Sequence, residues 1–342
     1  MKKHRHAVWG FVLVMALAVV QIDFASAQTS TGAAAPFDVA AASGANPGAN
    51  YDKAEFRMWY PPDVANVRAV AVLVPGSNGD GRNQVDEAGW REFAVKNKVA
   101  LVGVRLTDKP HDQNFIEEYA NASRGTGQAL LDALTALAAK SKHPEVATAP
   151  LLLLGMSAGG QFNYEFVGWK PERVAAFVVN KGGIYYSALL PAAARAVPGI
   201  LFVGGKDLEF RTSTIVGLFA VNRRAGARWA LAEEPGAAHV VGRSSDLTKI
   251  FFEDVLRLRD IGDKGDKGAG LNKDGVKDGD KAAFAETNEL DKNAFIGDLK
   301  AKTFQPAATA PPSATSVPSA WLPTERVAKA WQAMVTETPF EK

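Results

Sequence analysis

The chain has 342 residues, of which 47% are apolar and 22% are charged, and it contains no cysteine. This ordinary globular composition argues against wholesale disorder, a collagen-like repeat and a protein with many membrane spans. The lack of cysteine excludes disulfides, cysteine nucleophiles, zinc ribbons and iron–sulfur clusters, and a net charge of +2 gives no indication of a nucleic-acid partner.

Residues 1–27 have the three parts of a secretory signal peptide. These are a basic start at 2–5, an apolar stretch of 14 residues at 7–20, and the cleavage signal Ala-Ser-Ala at 25–27. We predict cleavage after Ala27 and a secreted or periplasmic protein without stable membrane insertion. The alternative is an uncleaved anchor, for which the apolar stretch is short. Residues 28–50, rich in Ala, Gly, Ser and Thr, predict a flexible leader.

From about residue 53, apolar runs alternate with helical patterns. Strands are predicted at 54–60, 69–74, 99–104, 151–154, 174–179, 200–203 and 228–232, and helices near 86–97, at 123–140 and at 158–167. Continuous apolar runs are typical of strands that are buried on both faces. We therefore predict an α/β fold for one domain, residues 51–260, with a mostly parallel central sheet and helices on both faces.

The C-terminal part of the sequence changes character. Residues 260–281 contain six Asp, five Lys and six Gly, and residues 305–323 are rich in Pro and Ala, so we predict a polar extension over 261–323. A calcium loop that starts at Asn272 would place lysine at the position that needs a sharp-turn glycine, which favours a linker. Residues 324–342 predict an amphipathic helix docked through Trp331; the alternative, a membrane-surface helix, has too few basic residues.

Residues 155–159, Gly-Met-Ser-Ala-Gly, form a G-x-S-x-G pattern between a predicted buried strand and a predicted helix. A serine on such a turn is strained, its hydroxyl stands clear of the sheet, and the flanking glycines leave room for the crossing backbone. The helix N-terminus also favours negative charge that develops nearby. Ser157 is therefore a candidate nucleophile. The alternative is a Gly-Ser turn without a chemical role.

A serine nucleophile needs a base, and only three histidines follow residue 27: His111, His143 and His239. In α/β proteins with this turn the order along the chain is Ser, then Asp or Glu, then His. Only His239 follows Ser157, so we select it. His143 ends a predicted helix, where it favours a contact with the helix C-terminus. His111 lies in a polar loop, either on the solvated surface or beside the site.

The acid is expected after the strand between the serine and the histidine. Asp207 follows the strand at 200–203 and is our choice, with Glu209 and Asp246 as alternatives; an ordinary turn aspartate is the remaining interpretation. An oxyanion needs two backbone N–H donors. We expect them from Ala158 and from Ser77, with Asn78 as the second choice for the latter. The loop at 75–81 lacks the spacing of a nucleotide-binding loop, so no nucleotide cofactor is predicted.

The segments PGSNGDG (75–81), GMSAGG (155–160), FVGGKD (202–207) and PGAAH (235–239) together resemble α/β-hydrolases. Over about residues 53–258 the chain looks like bacterial esterases that include polyhydroxybutyrate-depolymerase-like and feruloyl-esterase-like proteins. The resemblance implies an α/β-hydrolase fold and a serine carboxylic-ester hydrolase that uses Ser157, His239 and Asp207 with no metal or organic cofactor. Secreted polymer-degrading relatives often carry disulfides and a binding module, which argues against a dedicated polymer depolymerase.

The substrate is less well defined. Candidate substrate-binding residues near the expected mouth are Asn78, Trp169, Tyr185, Tyr186, Phe210 and Arg211. They would suit a small, aromatic or sugar-linked acyl ester, or a hydroxyalkanoate ester, with Arg211 facing a carboxylate. The alternative is that the aromatic side chains only pack and that Arg211 forms a surface ion pair.

Two other functions stay open at this point. A serine peptidase of the oligopeptidase type would use the same fold and the same three residues. A non-catalytic binding protein on a hydrolase scaffold is the other, since a fold alone does not imply a function. We expect a small-molecule or polymer-linked ester as the partner and no nucleic acid.

Overall fold

The apolar runs of the sequence form strands, and eight of them join in one sheet. The computed structural model describes residues 36–41, 48–113, 115–259, 261, 289–311 and 318–341, all within one compact unit. The sheet strands are β1 (Phe37–Ala40), β2 (Lys53–Trp59), β3 (Ala69–Val74), β4 (Val99–Thr107), β5 (Leu151–Met156), β6 (Val174–Asn180), β7 (Gly199–Gly204) and β8 (Trp229–Glu234). Helices α1 (Ala88–Asn97), α2 (Thr126–Ser141), α3 (Ala158–Trp169), α4 (Ala192–Ala196), α5 (Glu209–Arg224) and α6 (Ser244–Leu258) alternate with them.

The remaining elements follow α6 in the chain. They are α7 (Glu289–Lys292), β9 (Phe295–Asp298), β10 (Thr303–Pro306), β11 (Ala320–Leu322) and α8 (Glu325–Val335). Short 3₁₀ turns link several of the earlier elements.

The large sheet is mostly parallel. Its order is β1-β2-β4-β3-β5-β6-β7-β8; β2 is antiparallel to both of its neighbours, and all other neighbours are parallel. The carboxyl ends of parallel strands meet at one edge, so the turns after β3, β5, β6, β7 and β8 lie along the same edge of the sheet. The predicted α/β class with a mostly parallel sheet is confirmed.

Alternating side chains of the strands supply two apolar cores, one on each face of the sheet. Along β3, the valines at 70, 72 and 74 belong to one core, whereas residues 69, 71 and 73 belong to the other. The first core includes apolar residues of α2, α3 and α5, and the second includes those of α1, α6 and α8. Each buried Val or Leu contributes about 1.5–3 kcal/mol, so helix packing on both faces fixes the sheet and the turns at its edge.

The flexible leader predicted for residues 28–50 is wrong where β1 forms. Phe37–Ala40 pairs antiparallel with β2, and Arg57 of β2 donates to both carboxylate oxygens of Asp38 at 2.8 and 3.0 Å. Phe37 also stacks on Tyr60, with ring centroids 5.9 Å apart. The strand is only four residues long, which is too short for a clear periodic signal inside an Ala- and Gly-rich stretch. Residues 28–35 and 42–47 lie outside the described residues.

The polar extension predicted for residues 261–323 contains a second, smaller sheet. In this sheet β9 lies between β10 and β11 and is antiparallel to both. The prediction of a polar extension is therefore wrong at these three strands. Each is three or four residues long, which is too short for the alternation of apolar and polar residues to be recognised. The signal peptide at 1–27 and the rejected calcium loop at Asn272 lie outside the described residues.

The C-terminal helix α8 packs on the second core. The Thr324 side chain caps it by accepting a hydrogen bond from the Val327 N–H at 3.1 Å. Trp331 is fully buried, and its indole N–H donates to the Leu231 carbonyl of β8 at 2.7 Å. A buried tryptophan with a satisfied N–H stabilises the contact between helix and sheet. None of the helices among the described residues has the length and apolar character to cross a bilayer.

Candidate active site

Ser157 lies on a sharp turn between β5 and α3 and has φ +53° and ψ −122°. A positive φ is strained for any residue with a Cβ. The turn is possible because Gly155 and Gly159 cross at close range: a Cβ on Gly155 would collide with the Gly159 carbonyl, and one on Gly159 would collide with the Val74 carbonyl. The Ser157 N–H donates to the Asn180 carbonyl at 2.8 Å, which ties the turn to the end of β6.

The structure brings Ser157, His239 and Asp207 together in a hydrogen-bonded chain. His239 Nε2 lies 3.0 Å from Ser157 Oγ, and His239 Nδ1 lies 2.8 Å from Asp207 Oδ2. Because an ionised carboxylate only accepts, Nδ1 carries the proton and Nε2 is free to accept from the serine hydroxyl. The side chain of Asp207 is 2% exposed and that of His239 is 30% exposed, so the acid is buried while the imidazole can be reached by a substrate.

Asp207 is held as a carboxylate by several donors. Burial raises the pKa of Asp207, but hydrogen bonds from His239, from the Leu208 N–H and from Arg211 outweigh burial and bring the pKa below its ordinary value. The Leu208 N–H lies 2.7 Å from Oδ1. Asp207 is therefore able to stabilise a positive charge on His239. Glu209, the alternative acid, is exposed on the first turn of α5.

Arg211 contacts Asp207 instead of standing free in the mouth. Its Nη1 donates to Asp207 Oδ1 at 3.0 Å, while its guanidinium carbon lies 5.1 and 5.9 Å from the ring centroids of Phe210 and Phe115. The two rings contact each other with centroids 6.0 Å apart. Arg211 therefore forms an ion pair, as the alternative interpretation expected, and its partner is the buried Asp207. Its contact with a substrate carboxylate stays a prediction.

The turn after β3 lies beside Ser157. Gly76 begins this turn, and a Cβ built on Gly76 would lie 3.6 Å from the Ser157 Cβ. The Gly79 N–H donates to the Gly76 carbonyl at 2.9 Å and closes the turn around Ser77 and Asn78. The N–H groups of Ser77 and Ala158 have no acceptor among the described residues. Both are therefore available to a ligand near Ser157.

Asn78 is occupied by contacts within the protein. Its N–H donates to the Tyr119 hydroxyl at 3.3 Å, and its Oδ1 accepts from the Asp108 N–H at 2.8 Å. The geometry thus favours Ser77 over Asn78 as an oxyanion donor. His111 borders this loop, and its Nε2 lies 3.5 Å from Asp108 Oδ2. His143 is not part of this group; its Nδ1 lies 2.7 Å from Glu145 Oε1.

Trp169 and Tyr185 both pack against other aromatic side chains. Trp169 ends the twelve-residue helix that Ser157 begins, about 18 Å along its axis, and it contacts Phe166 with ring centroids 5.7 Å apart. Tyr185 packs against Tyr164 with ring centroids 5.1 Å apart. Burial raises the pKa of the Tyr185 hydroxyl well above its ordinary value, and this hydroxyl has no partner in the described part of the chain. The substrate-binding prediction is wrong for Trp169, because it used nearness in sequence rather than direction along the helix. For Tyr185, which lies half-buried in the loop after β6, it stays a prediction.

Two others, Tyr186 and Phe210, are exposed. Tyr186 is 44% exposed, and its hydroxyl donates to the Glu117 carbonyl at 3.0 Å. Phe210 is 41% exposed and meets Phe115, which is 60% exposed. Phe115 lies in the loop after β4 and was not predicted as a site residue. An aromatic residue within a polar loop was the feature of the sequence that could have indicated it. We call Phe115, Tyr186 and Phe210 the aromatic rim.

A buried ion pair beneath the loop that carries His239 was not predicted from the sequence. Lys181 Nζ lies 3.2 Å from Glu234 Oε2 and 3.1 Å from Asn180 Oδ1, and the lysine is fully buried. Burial lowers the pKa of Lys181, and Glu234 opposes that shift. The other carboxylate oxygen of Glu234 accepts from the Arg243 N–H at 2.8 Å, at the far end of the loop. Lys181 follows β6 at the functional edge of the sheet, and this position was the signal that could have indicated it.

Comparisons with known proteins add no assignment. No known family matches the chain, and a search of curated proteins finds no similar sequence. Within the described ranges, no group of three or more His, Asp or Glu side chains is arranged to hold a metal ion.

Proposed function

We propose that the protein is a serine hydrolase of the α/β-hydrolase type that cleaves carboxylic esters. The observation that carries the proposal is the 3.0 Å contact between Ser157 Oγ and His239 Nε2 at a strained strand-to-helix turn. The placement of the three residues supports it as well. The serine follows β5, the acid follows β7 and the histidine follows β8, which is the chain order that α/β-hydrolases use.

In the proposed reaction, Ser157 Oγ attacks the ester carbonyl carbon while His239 Nε2 takes the hydroxyl proton. Asp207 stabilises the imidazolium that forms. The carbonyl oxygen becomes an oxyanion and accepts hydrogen bonds from the N–H groups of Ala158 and Ser77. The carbon–oxygen bond to the alcohol then breaks, and the alcohol leaves with the proton from Nε2.

The acyl group then remains on Ser157 as an ester. Water attacks this ester while His239 takes a proton from the water, and a second oxyanion forms in the same place. Collapse of this intermediate releases the acid and returns the proton to Ser157. No redox step occurs, and the protons balance over the cycle.

The aromatic rim supports an ester with an apolar acyl or alcohol group. Phe115 and Phe210 present adjacent ring surfaces, and Tyr186 adds a third exposed ring. Exposed apolar clusters of this kind are commonly binding surfaces. Small, aromatic, sugar-linked and hydroxyalkanoate esters all belong in the substrate panel. Trp169 is left out of the proposed substrate contacts.

The test compares p-nitrophenyl acetate and butyrate with the corresponding p-nitroanilides. We expect hydrolysis of the esters alone, complete loss in Ser157→Ala, and no loss in Ser123→Ala, a serine that lies exposed in the loop before α2. Comparable hydrolysis of the anilides would favour the peptidase alternative. A folded protein that turns over neither class would favour the binding-protein alternative.

Export is a separate part of the proposal. Cleavage after Ala27 would leave Gln28 as the first residue. Expression of the full chain in a bacterial host, followed by fractionation and N-terminal sequencing, tests it. We expect the product in the periplasm or medium to begin at Gln28; a product that keeps residues 1–27 in the membrane fraction would overturn it.

A further inference from the structure

A cavity of about 300 Å³ lies at the opposite edge of the large sheet from Ser157. Its lining includes Arg228, directly before β8, together with Arg195 of α4 and Arg223 of α5. Ser157, Asp207 and His239 follow the carboxyl ends of their strands, whereas Arg228 precedes an amino end. A six-residue strand is about 20 Å long, so the cavity is separate from the proposed active site.

The cavity carries an excess of positive charge. Arg228 forms a bidentate pair with Asp291, at 2.6 and 3.1 Å. Arg195 and Arg223 form no ion pair with any described carboxylate, although both line the same space. Burial lowers the pKa of Arg223, and the charge of Asp291 opposes that shift only in part. Among the described lining residues, three guanidinium groups and one carboxylate give a net charge of +2.

The lining also offers more donors than acceptors. Arg195 donates from Nε to the Ala225 carbonyl at 2.9 Å and from Nη1 to the Leu190 carbonyl at 2.5 Å. Arg223 donates from Nη1 to the Ala227 carbonyl at 3.0 Å and from Nε to the Ser319 carbonyl at 2.7 Å, so these oxygens are already engaged. An arginine has five N–H donors, and these bonds use only some of them. Trp321 lines the cavity too, and its buried indole N–H has no acceptor in the described part of the chain.

The turn between α5 and β8 opens onto this space. Gly226 has φ +87°, and a Cβ built on it would meet no atom within 4 Å. The arginines hold this turn through its carbonyl groups. That structural task explains their hydrogen bonds, but it does not require the described lining of one cavity to carry a net charge of +2.

We propose that this cavity binds a small oxyanion, either a carboxylate or a phosphate, between Arg195 and Arg223. A planar guanidinium matches both groups because it presents parallel N–H donors to two oxygens. The volume suits a ligand of a few heavy atoms and is at the lower end for ligand sites. The inference does not depend on the proposed ester hydrolysis.

The test uses the full chain, with inorganic phosphate and malonate titrated at constant ionic strength. The readouts are isothermal calorimetry and the ¹H–¹⁵N resonance of the Trp321 indole, which Trp321→Phe assigns. We expect saturable binding of at least one of the two anions. The anion that binds more tightly shows whether the cavity prefers a phosphate or a carboxylate. Arg195→Gln and Arg223→Gln should each weaken binding roughly tenfold or more, because each removes a charge-assisted contact.

The matched control is Arg224→Gln, which removes one positive charge from the neighbouring, exposed position of α5. We expect it to leave binding unchanged. If Arg223→Gln does not fold, Arg195→Lys still tests the proposal. This variant keeps the positive charge but loses the paired N–H donors, so we expect it to weaken anion binding. Absence of saturable binding to folded wild type, or equal weakening by Arg224→Gln, would overturn the proposal.

Discussion

Lys181 and Glu234 form an ion pair that is buried beneath the loop carrying His239, with Nζ 3.2 Å from Oε2. The pair joins the end of β6 to the end of β8, so it fixes the start of that loop. Breaking a buried pair leaves one charge without a partner and costs about 3–5 kcal/mol. Lys181 is thus a positioning residue for the proposed base rather than a group that touches substrate.

From this pair we predict that Lys181→Met lowers the free energy of unfolding by about 3–5 kcal/mol. Adding Glu234→Gln should recover part of the loss, because the amide is neutral and its oxygen can still accept from the Arg243 N–H. Urea unfolding of wild type, both single variants and the double variant measures this coupling. Strictly additive losses would show that the pair is not the source of the stability.

The second prediction concerns the identity of the acid. Asp207→Asn should lower kcat for ester hydrolysis by about 10⁴-fold, because an amide can no longer select the imidazole tautomer that accepts from Ser157. Glu209→Gln, at the exposed alternative position, should leave kcat within about twofold, since no transition-state contact is lost. Steady-state kinetics on one p-nitrophenyl ester checks both. Equal losses in the two variants would contradict the assignment.

The third prediction links Arg211 to the pH dependence of stability. The pKa of Asp207 is depressed in the folded protein, so its ionised form stabilises the fold above the unfolded pKa of about 3.9. This contribution is lost as the pH falls through the folded pKa. Arg211→Met removes one of the donors that depress it, so the variant should be destabilised by about 1–2 kcal/mol at pH 6 and by less at pH 3.

Urea unfolding at both pH values measures this difference. Lys329→Met, which removes an exposed pair on α8, is the control and should change stability by no more than about 0.5 kcal/mol. An effect of Arg211→Met that is as large at pH 3 as at pH 6 would mean that Arg211 acts through packing on the rings of Phe115 and Phe210 instead.

The fourth prediction tests the oxyanion donor on the turn after β3. Ser77 is the second residue of the Gly76–Gly79 turn, a position that proline favours. Ser77→Pro therefore deletes one N–H with little change in the turn, and kcat should fall by about 10²–10³-fold. Ser77→Ala keeps the N–H and should keep most of the activity. If the two variants behave alike, the donor lies elsewhere.

Much of the large sheet follows from the sequence, because β3, β5, β6 and β7 are continuous apolar runs between turn residues. Those runs also predict where Ser157 and Asp207 lie, since Ser157 directly follows β5 and Asp207 lies in the turn after β7. The four-residue β1 and the strands of the small sheet could not be predicted, because so few residues carry no periodic signal. β10 pairs with β9 across a short turn, whereas β1 and β11 pair with strands that lie further away in the chain.

The side chains around the candidate site were harder to predict. Arg211 could be placed near the acid, but its choice of Asp207 depends on the helical turn at the start of α5. Trp169 was misplaced because α3 carries it away from Ser157. The position of Lys181 after β6 could have indicated it, but its burial could not be predicted, since lysine is almost always exposed and only the tertiary contact with Glu234 accounts for that burial.

The central claim is that Ser157 is an activated nucleophile, and covalent labelling tests it most directly. Purified protein without residues 1–27 is treated with a fluorophosphonate probe, digested and analysed by peptide mass spectrometry, beside Ser157→Ala and His239→Ala. We predict one adduct, on the peptide that contains Ser157; it should be absent from the first variant and form much more slowly in the second. Labelling of another serine, or no adduct on the folded wild-type protein, would show that Ser157 is not the activated nucleophile.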